Sequence, residues 1–561
     1  MGGFDWGLFN WNMFKKSLSN GLPYSDMVFW DYVKRNVQQW GNKEAVVDTF
    51  YGTDKGKRRR KTWKQVYDDC NNIIFNLANL GIRKEHMVVT QLPNVIENYY
   101  ASIFISKLSL VYLCAQVELG EKDTKGTLEA VNPDVTIVVP SYHERDIAKW
   151  HLEYQKDHPS LKYIFVVHKP GESIPEGTRS FTELLNPDIR KLWDDTDLDY
   201  FKTDPFEPLH VIPSGGTTGI PKPCISSQAT FQATIHDIYS KAGFVAYDSC
   251  LIFGPMNGGT GRIIGVWTTV MAGAKAILLT EYNEKDSCML TEDEKVNKWI
   301  CNPALMIRSA SSPYFDQYDL SSLRSISYAG APFPIEIADK LWSRGVRIGG
   351  CYGSMSVPSA GMVSITENNK DVSIGTSGLV PPGDEYKIVD AKGDELPPGE
   401  VGEVWIWSAH QGFYNNPEMT RESYDENGYQ HTGDIGFKDE RGGIKIVGRS
   451  TDMILRGGAN IYPKEIEDLL SKHPKVREIA VVPMPDKLLG EKACAYVVPM
   501  ENAKITLKEL TNYLQEKNVT KYKWPERLEI IAEMPISTGG KITKARLKED
   551  IVEKLKKEGA I

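Results

Sequence analysis

The pattern of apolar and polar residues in the first half of the chain predicts strands that alternate with helices. Apolar residues recur at helical spacing through residues 62–80 and again through 94–108. Between them, residues 87–92 form an apolar run of the length typical of a buried strand. Similar β-branched or apolar runs follow at 135–139, 163–167 and 274–279. Strands that alternate with helices predict an α/β fold with a largely parallel sheet and crossover connections.

The pattern changes near residue 375. Short strand-like runs separated by Gly and Pro indicate a small antiparallel, barrel-like subdomain over about 375–449. Its predicted strands are residues 386–390, 402–407 and 443–447. A compact α+β segment of about a hundred residues follows, which is a suitable size for an independent small domain. It contains a predicted helix at 464–471 and strands at 479–482 and 493–498. We therefore predict a large N-terminal domain over 1–449 and a small C-terminal domain over 450–561.

Composition limits the functional classes. A chain of 561 residues is long for one hydrophobic core, and its 41% hydrophobic and 25% charged content is typical of a soluble globular enzyme. The net charge of −8 argues against nucleic acid as a partner, because nucleic-acid binding favours a basic surface. The basic run at residues 55–61 is interpreted as a solvated hairpin tip.

The sequence contains few features that indicate a cellular location or a role for its cysteines. The eight cysteines include no Cys-x-x-Cys pair, which excludes the usual zinc and disulfide patterns. We find no signal peptide, and no apolar run is long enough for a transmembrane segment, so a cytoplasmic location is expected. Aromatic residues between positions 4 and 14 predict either a membrane contact or an arm packed on protein surface.

The segment at residues 214–222 has the composition of a phosphate-binding loop. Its glycines allow close backbone approach to an anion, its hydroxyls donate hydrogen bonds, and Lys222 supplies a positive charge. Because Pro221 and Pro223 flank this lysine, the segment differs from the common P-loop. A plain Ser/Thr/Gly surface turn is the alternative interpretation of the segment alone.

Further motifs follow in a fixed order. They lie at residues 327–332, 350–356, 430–436, 447–452, 456–467 and 535–544. Together with the loop at 214–222, they resemble the motifs of acyl-adenylate-forming enzymes: acyl-CoA synthetases, aryl-acid ligases and peptide-synthetase adenylation domains. The resemblance extends from about Tyr24 to Leu547 and is greatest to acyl- or aryl-CoA ligases.

The resemblance implies a role for each motif. Lys541 is the implied catalytic residue, carried by a mobile C-terminal domain, and it contacts the substrate carboxylate and the α-phosphate. Thr451 occupies the hinge position, and Gly457 and Gly458 are the implied coenzyme A contacts. ATP or AMP contacts are implied for Ser214, Gly215, Gly216, Thr217, Thr218, Gly219, Lys222, Gly330, Ala331, Pro332, Tyr352, Gly353, Ser354, Met355, Asp434 and Arg449.

Two positions depart from the family pattern. Met355 and Ser356 replace the usual Thr-Glu pair, whose Glu helps to bind Mg²⁺ beside the phosphates. Magnesium keeps waters and binds substrate phosphates, so its binding is still expected, but no protein ligand is assigned. Thr451 stands where Asp or Lys is usual, so the hinge assignment rests on position.

The implied activity is an AMP-forming acyl-CoA ligase that uses ATP, Mg²⁺, coenzyme A and a small-molecule carboxylic acid. Met256, Asn257 and Gly258 are the implied acyl-pocket residues, and they favour an aromatic, alicyclic, hydroxylated or short aliphatic acid. Two alternatives stay open: an adenylation enzyme that loads a carrier protein, and a catalytically silent nucleotide-binding protein. Either a monomer or a homo-oligomer is compatible with the sequence.

Overall fold

The chain forms two compact units in the computed structural model. The first lies within Met1–Glu385 and Ile406–Gln430, and the second within Tyr386–Trp405 and His431–Ile561. The structure describes residues 27–201, 203–214, 222–330, 335–354, 357–363, 376–380, 384–407, 412–457, 459–536 and 542–560. The aromatic N-terminal segment therefore lies outside the described residues. The second unit takes in residues that the sequence analysis assigned to the large domain, and the boundary at residue 450 stays a prediction.

Two sheets organise the first unit. The strands are β1 (Glu44–Asp48), β2 (Arg59–Thr62), β3 (Met87–Gln91), β4 (Val111–Cys114), β5 (Val135–Val138), β6 (Tyr163–Val166), β7 (Arg179–Ser180), β8 (Pro208–Ser214), β9 (Lys222–Ser227), β10 (Ser249–Ile252), β11 (Lys275–Leu278), β12 (Lys298–Cys301), β13 (Ser325–Ala329), β14 (Arg347–Ser354) and β15 (Val357–Val363). Among the described residues, one sheet has the order β7-β6-β5-β3-β4-β8-β9 and the other β15-β14-β13-β12-β10-β11-β1-β2. Their central pairings are parallel, whereas β2, β9 and β15 are antiparallel edge strands.

Helices connect and cover these sheets. They are α1 (Phe29–Trp40), α2 (Trp63–Asn79), α3 (Ile96–Leu108), α4 (Glu121–Val131), α5 (Ile147–Asp157), α6 (Gln228–Lys241), α7 (Thr268–Ala272), α8 (Glu284–Asp293), α9 (Pro303–Ser311), α10 (Tyr314–Gln317), α11 (Ile335–Ser343) and α12 (Pro417–Glu422). A π-helix spans Gly259–Trp267. The crossover helices allow neighbouring strands to run parallel, and burial on both faces explains why those strands are almost wholly apolar. The predicted parallel α/β fold is confirmed.

Local sequence explains the element boundaries well. Helix α2 begins after Thr62, whose hydroxyl accepts a hydrogen bond from the Gln65 N–H at 3.3 Å. The Gln65 side chain in turn accepts from the Thr62 N–H at 2.9 Å, which completes a capping box. Every residue of β3 is buried. The helix predicted at 62–80 and the strand predicted at 87–92 are thus confirmed to within about one residue.

The second unit is smaller and largely antiparallel. Its strands, three of which extend past the unit borders, are β16 (Glu385–Val389), β17 (Gly402–Trp407), β18 (Gln430–Lys438), β19 (Ile444–Arg449), β20 (Ile454–Arg456), β21 (Ala459–Ile461), β22 (Val476–Asp486), β23 (Gly490–Pro499) and β24 (Arg527–Ile530). Its helices are α13 (Pro463–Leu470), α14 (Leu507–Glu516) and α15 (Lys544–Lys557). One sheet has the order β16-β17-β18-β19, and the other has β21-β20-β23-β22 with β24 beside β23. Buried Ile466, Val481 and Leu510 belong to one of its cores.

The basic run at residues 55–61 is the predicted solvated tip only in part, because Lys55 and Lys57 are exposed whereas two of its arginines are not. The Arg58 side chain has no exposed surface, and its Nη1 lies 2.7 Å from the Glu294 carboxylate. Arg59 lies 2.6 Å from Glu97 and also pairs with Asp48. The prediction was wrong for Arg58 and Arg59, because charge density alone does not show that carboxylates far away in the sequence pair with them.

Glu294 is the shared partner in this cluster. It pairs with Arg58 and Arg60 and lies 3.1 Å from the Nζ atom of Lys275. Burial alone would raise the pKa of this carboxyl, but the hydrogen bonds and positive charges of its partners outweigh burial. They lower the pKa from 4.5 to about 2. The carboxylate is therefore ionised throughout the physiological pH range.

We expect Glu294→Gln to lower the free energy of unfolding by about 3 kcal/mol near neutral pH, because it leaves buried cations without their counter-charge. The folded pKa of Glu294 lies below its ordinary value, so the contribution is complete above about pH 4.5 and is lost as the pH falls towards about 2. Urea unfolding of both proteins across this range measures the difference. Asp54→Asn, which breaks an exposed pair with Lys57, is the matched control with little expected effect. A Glu294→Gln effect that is independent of pH would contradict this account.

Two other sequence expectations concern cysteines and membranes. The eight cysteines all lie in the described ranges and none forms a disulfide; seven are buried and Cys351 is partly buried. None of the helices in the described part of the chain is long and apolar enough to cross a membrane.

Candidate functional site

Two of the predicted nucleotide-binding motifs lie on neighbouring strands of the same sheet. Strands β13 and β14 are parallel, and Ala329 pairs with Cys351 near their carboxyl ends. Gly330 follows β13 with a φ of +103°, which glycine adopts without strain. Tyr352 is partly buried and Gly353 is exposed near the end of β14. Carboxyl ends of parallel strands are the usual ligand-binding edge of such sheets. The structure therefore brings Gly330, Tyr352 and Gly353 to a suitable edge.

A glycine in the second motif is required by packing. A Cβ atom on Gly350 would lie 2.9 Å from the Oη atom of Tyr328 on the adjacent strand. Tyr328 is buried, and burial raises the pKa of its hydroxyl. The small residue at 350 thus makes room for a tyrosine of the protein.

Several predicted site residues lie outside the described residues. They are Gly215, Gly216, Thr217, Thr218, Gly219, Ala331, Pro332, Met355, Gly458 and Lys541. The chain on either side of two of these motifs is described. The backbones of Ser214 and Lys222 pair where β8 meets β9, and Ser354 is the last residue of β14. Ile536 forms a bridge with Ile542 on the two sides of the Lys541 segment. The contacts of these motifs stay predictions.

The candidate acyl-pocket loop is held by a buried asparagine. The Asn94 side-chain amide donates to the Gly254 carbonyl at 3.0 Å and accepts from the Met256 N–H at 3.1 Å. Asn94 follows β3 of one sheet, whereas Gly254 follows β10 of the other. Met256 is buried, while Asn257 and Gly258 are partly exposed. The loop is therefore a defined turn that connects the carboxyl ends of strands from the two sheets.

The chain then enters the π-helix at Gly259–Trp267. A Cβ atom on Gly261 would lie 2.4 Å from the Pro255 carbonyl oxygen, so this position excludes any larger residue. Such π-helical turns are rare and often occur at functional sites. The loop and the π-helix therefore form one tightly packed structure.

Asp434 and Arg449 lie directly opposite each other in the second unit, in register on antiparallel strands β18 and β19. The Arg449 Nε atom is 3.1 Å from the Asp434 carboxylate, and its Nη2 atom donates to the Thr432 carbonyl at 2.8 Å. Arg449 is half-exposed and Asp434 is largely buried. Gly433, which lies between Thr432 and Asp434 in the chain, has a φ of +69°. The structure thus brings together two residues that the resemblance assigned to one nucleotide.

The predicted hinge residue is tied to the C-terminal helix. Lys548 of α15 donates to the Thr451 carbonyl and to the Asp452 carboxylate, each at 2.8 Å. Gly457, an implied coenzyme A contact, has a φ of +55° and donates to the Leu489 carbonyl at 2.8 Å. Both residues lie in the second unit.

No group of three or more metal-binding side chains that could hold an ion occurs in the described ranges. No protein ligand for magnesium is assigned.

Sequence reasoning missed Asn94. The available signal was its position, because an amide directly after a buried strand stands at the ligand-binding edge of a parallel sheet. Its partners, however, lie about 160 residues further along the chain. Such a contact requires knowledge of how the two sheets pack.

Comparison with known proteins gives two consistent family matches. A family model described as AMP-binding enzyme matches residues 33–412. A second, described as AMP-binding enzyme C-terminal domain, matches residues 465–541.

Individual relatives agree with these matches. The chain is 32% identical over 349 residues to a medium-chain fatty-acid–CoA ligase of Escherichia coli, a match that covers 62% of this chain and 61% of the ligase. It is 26% identical over 509 residues to a 2,3-dihydroxybenzoate-AMP ligase of Bacillus subtilis, covering 88% of this chain and 89% of the relative. The anthranilate CoA ligase AuaEII, solved with anthranoyl-AMP, has a similar fold with a TM-score of 0.81 at 23% identity, covering 95% and 98% of the two chains.

Proposed function

Because the chain belongs to the family of AMP-binding enzymes, we propose that it joins a carboxylic acid to coenzyme A through an acyl-adenylate. The observation that carries the proposal is the pair of family matches, which cover most of the chain in the expected order. The placement of Asp434 opposite Arg449 also supports it.

The proposed reaction has two steps. A carboxylate oxygen attacks the α-phosphorus of ATP, and pyrophosphate leaves with the electrons of the broken P–O bond. The coenzyme A thiolate then attacks the acyl carbon, and AMP leaves to give a thioester. Activation is required because a free carboxylate is a poor acyl donor. In-line attack at phosphorus depends on positioning and charge neutralisation, which suits a site without a nucleophilic residue.

Each proposed role follows from the chemistry of the residue. The Lys541 ammonium stabilises the charge that develops during adenylation. The Asp434 carboxylate accepts hydrogen bonds from the ribose hydroxyls, and the Arg449 guanidinium holds ribose or phosphate oxygens. We assign no protein ligand for magnesium; bound to the phosphates of ATP, it would neutralise part of their negative charge.

The identity of the acyl-group acceptor distinguishes the proposed CoA ligase from its nearest alternative, an enzyme that loads a carrier protein. Coenzyme A is favoured because relatives named as CoA ligases include the Escherichia coli protein. The experiment measures AMP release with free coenzyme A and, separately, with a phosphopantetheinylated carrier domain. Release that requires coenzyme A supports the ligase, whereas release that requires the carrier domain supports the alternative.

A catalytically silent nucleotide-binding protein is the third candidate, suggested by Ser356 in place of the usual Glu. It predicts AMP binding without acid-dependent pyrophosphate release. The presence of Lys541, Asp434 and Arg449 in the sequence favours an active enzyme.

The acyl group is proposed to lie against the Met256–Gly258 turn, and Asn94 sets the position of that turn. We expect Asn94→Ala to raise the KM for the acid about tenfold, because the Gly254 carbonyl and the Met256 N–H lose their shared partner. AMP affinity should stay unchanged. Steady-state kinetics and AMP calorimetry measure the two quantities.

The matched control is Asn297→Ala. The Asn297 side chain accepts from the Ser249 N–H at 3.2 Å, at the amino end of β10 and away from the turn. The Asn297→Ala substitution should leave the KM for the acid unchanged. An equal rise in KM for both variants would show that Asn94 acts only through general stability.

A further inference from the structure

Arg262 of the π-helix is a buried cation. Only 4% of its surface is exposed. Its Nη2 atom donates to the Tyr112 hydroxyl at 2.8 Å and lies 3.5 Å from the Asn98 side-chain oxygen. The guanidinium carbon is 4.4 Å from the centre of the Tyr112 ring. Among the residues that the structure describes, no Asp or Glu forms an ion pair with Arg262. Its neighbours are therefore neutral polar or aromatic groups.

Other buried cations of the same unit have acidic partners. Arg58 lies 2.7 Å from Glu294, and Lys298 lies 3.8 Å from Asp248. Burying a charge without a counter-charge is costly. Arg262 thus differs from cations whose role in the fold is explained by their ion pairs.

Hydrogen-bonding atoms near Arg262 also lack partners within the described ranges. They are the Arg262 Nε, the Trp267 Nε1 and the His210 Nε2 atoms. The His210 ring lies 4.3 Å from the Trp267 ring and 5.4 Å from the Tyr112 ring, centre to centre. Burial, and then the positive charge of Arg262, lower the pKa of His210 well below its ordinary value, so His210 is neutral. The cluster therefore combines one positive charge with unused donors and offers no negative charge.

This cluster adjoins the candidate acyl-pocket turn. The Arg262 N–H donates to the Gly258 carbonyl at 3.2 Å, so the arginine stands one helical turn beyond that loop. Tyr112 and His210 pair in register on adjacent strands β4 and β8. Asn98 lies in the first turn of α3, four residues after the Asn94 that holds the loop. The Arg262 cluster and the Met256–Gly258 loop are thus both connected to the π-helix and to the segment from Asn94 to Asn98 within the first unit.

We propose that Arg262, supported by Tyr112, binds a second carboxylate on the acid substrate, so that the enzyme prefers dicarboxylic acids to monocarboxylic acids of the same length. This inference rests on the proposed function. A guanidinium binds a carboxylate through two parallel hydrogen bonds, which would use the free Nε and neutralise the buried charge. One carboxylate is adenylated while the other is held. An acyl chain that ends in a methyl group would leave the charge and the donors unsatisfied.

The test compares matched acids by pyrophosphate release. The pairs are glutarate with pentanoate, adipate with hexanoate, and terephthalate with benzoate. For the wild type we expect a higher kcat/KM with the diacid in at least one pair. Arg262→Met should lower that diacid-to-monoacid ratio at least about thirtyfold, mainly through the KM of the diacid. Arg262→Lys keeps the charge but loses the two-point contact, so it should lower the ratio about tenfold.

Lys298→Met is the matched control, since it removes a buried cation of the same unit and should leave the ratio unchanged. Circular dichroism establishes that each variant is folded, and Arg262→Lys decides the question if Arg262→Met does not fold. A wild type that prefers the monoacid in every pair, or an unchanged ratio in the folded Arg262 variants, would overturn the inference. If no acid releases pyrophosphate, the proposed function itself fails. Calorimetry with the three diacids then decides the inference: binding that requires Arg262 supports it, and no binding overturns it.

Discussion

Lys541→Ala is expected to slow acyl-adenylate formation about a hundred- to a thousandfold, the usual cost of removing one preorganised charge-stabilising donor. Thioester formation from supplied acyl-adenylate should be spared. The reason is that the ammonium is proposed to act on the substrate carboxylate and the α-phosphate during adenylation, and that step is already complete when the adenylate is supplied. Pyrophosphate release measures the first step, and coenzyme A consumption with synthetic acyl-adenylate measures the second.

Lys544→Ala is the matched control for this variant. Lys544 lies three residues further along the chain, begins α15 and pairs with Glu467 at 2.7 Å in the same unit. Its removal should affect neither step selectively. An equal loss of both steps in Lys541→Ala would contradict the role assigned to Lys541.

Asp434→Ala is expected to weaken AMP binding about a hundredfold, because we propose that its carboxylate accepts hydrogen bonds from two ribose hydroxyls, and bonds to a charged group are strong. The carboxylate lies on one strand directly opposite Arg449, whose Nε atom is 3.1 Å away. Isothermal titration calorimetry with AMP measures the loss. Arg449→Ala should weaken binding in the same direction.

The control is Asp439→Ala at the other end of the same hairpin, where the Asp439 side chain accepts from the Gly443 N–H at 2.7 Å. It should lower stability but leave AMP affinity unchanged. If Asp434→Ala lowers stability without changing the affinity for AMP, Asp434 serves only as the structural partner of Arg449.

Much of the fold could be predicted because the sequence patterns that specify it, apolar periodicity and helix capping, involve residues close together in the chain. The run at 87–92 is a buried parallel strand, and such strands are apolar on both faces, so the sequence pattern and the structure agree. Thr62 and Gln65 form the cap of α2 within four residues of chain. Capping and periodicity of this kind depend on neighbouring residues alone.

The remaining features depend on contacts between distant parts of the chain. Arg58 and Glu294 are 236 positions apart, so the basic run could not be recognised as an ion-pair cluster. The link from Asn94 to Gly254 likewise depends on how the two sheets pack. Arg262 was part of no motif, and its significance comes from the absence of an acidic partner among the described residues. The order of the motifs identified the family, whereas the contacts that hold the candidate acyl-pocket turn could be found only in the three-dimensional structure.

The most direct test of the central claim is the exchange of radiolabelled pyrophosphate into ATP with a panel of carboxylic acids and without coenzyme A. Exchange reports reversible adenylate formation and does not depend on the acceptor. The account predicts exchange that requires an acid and is largely lost in Lys541→Ala. Folded protein that binds AMP but shows no exchange with any mono- or dicarboxylic acid would contradict it.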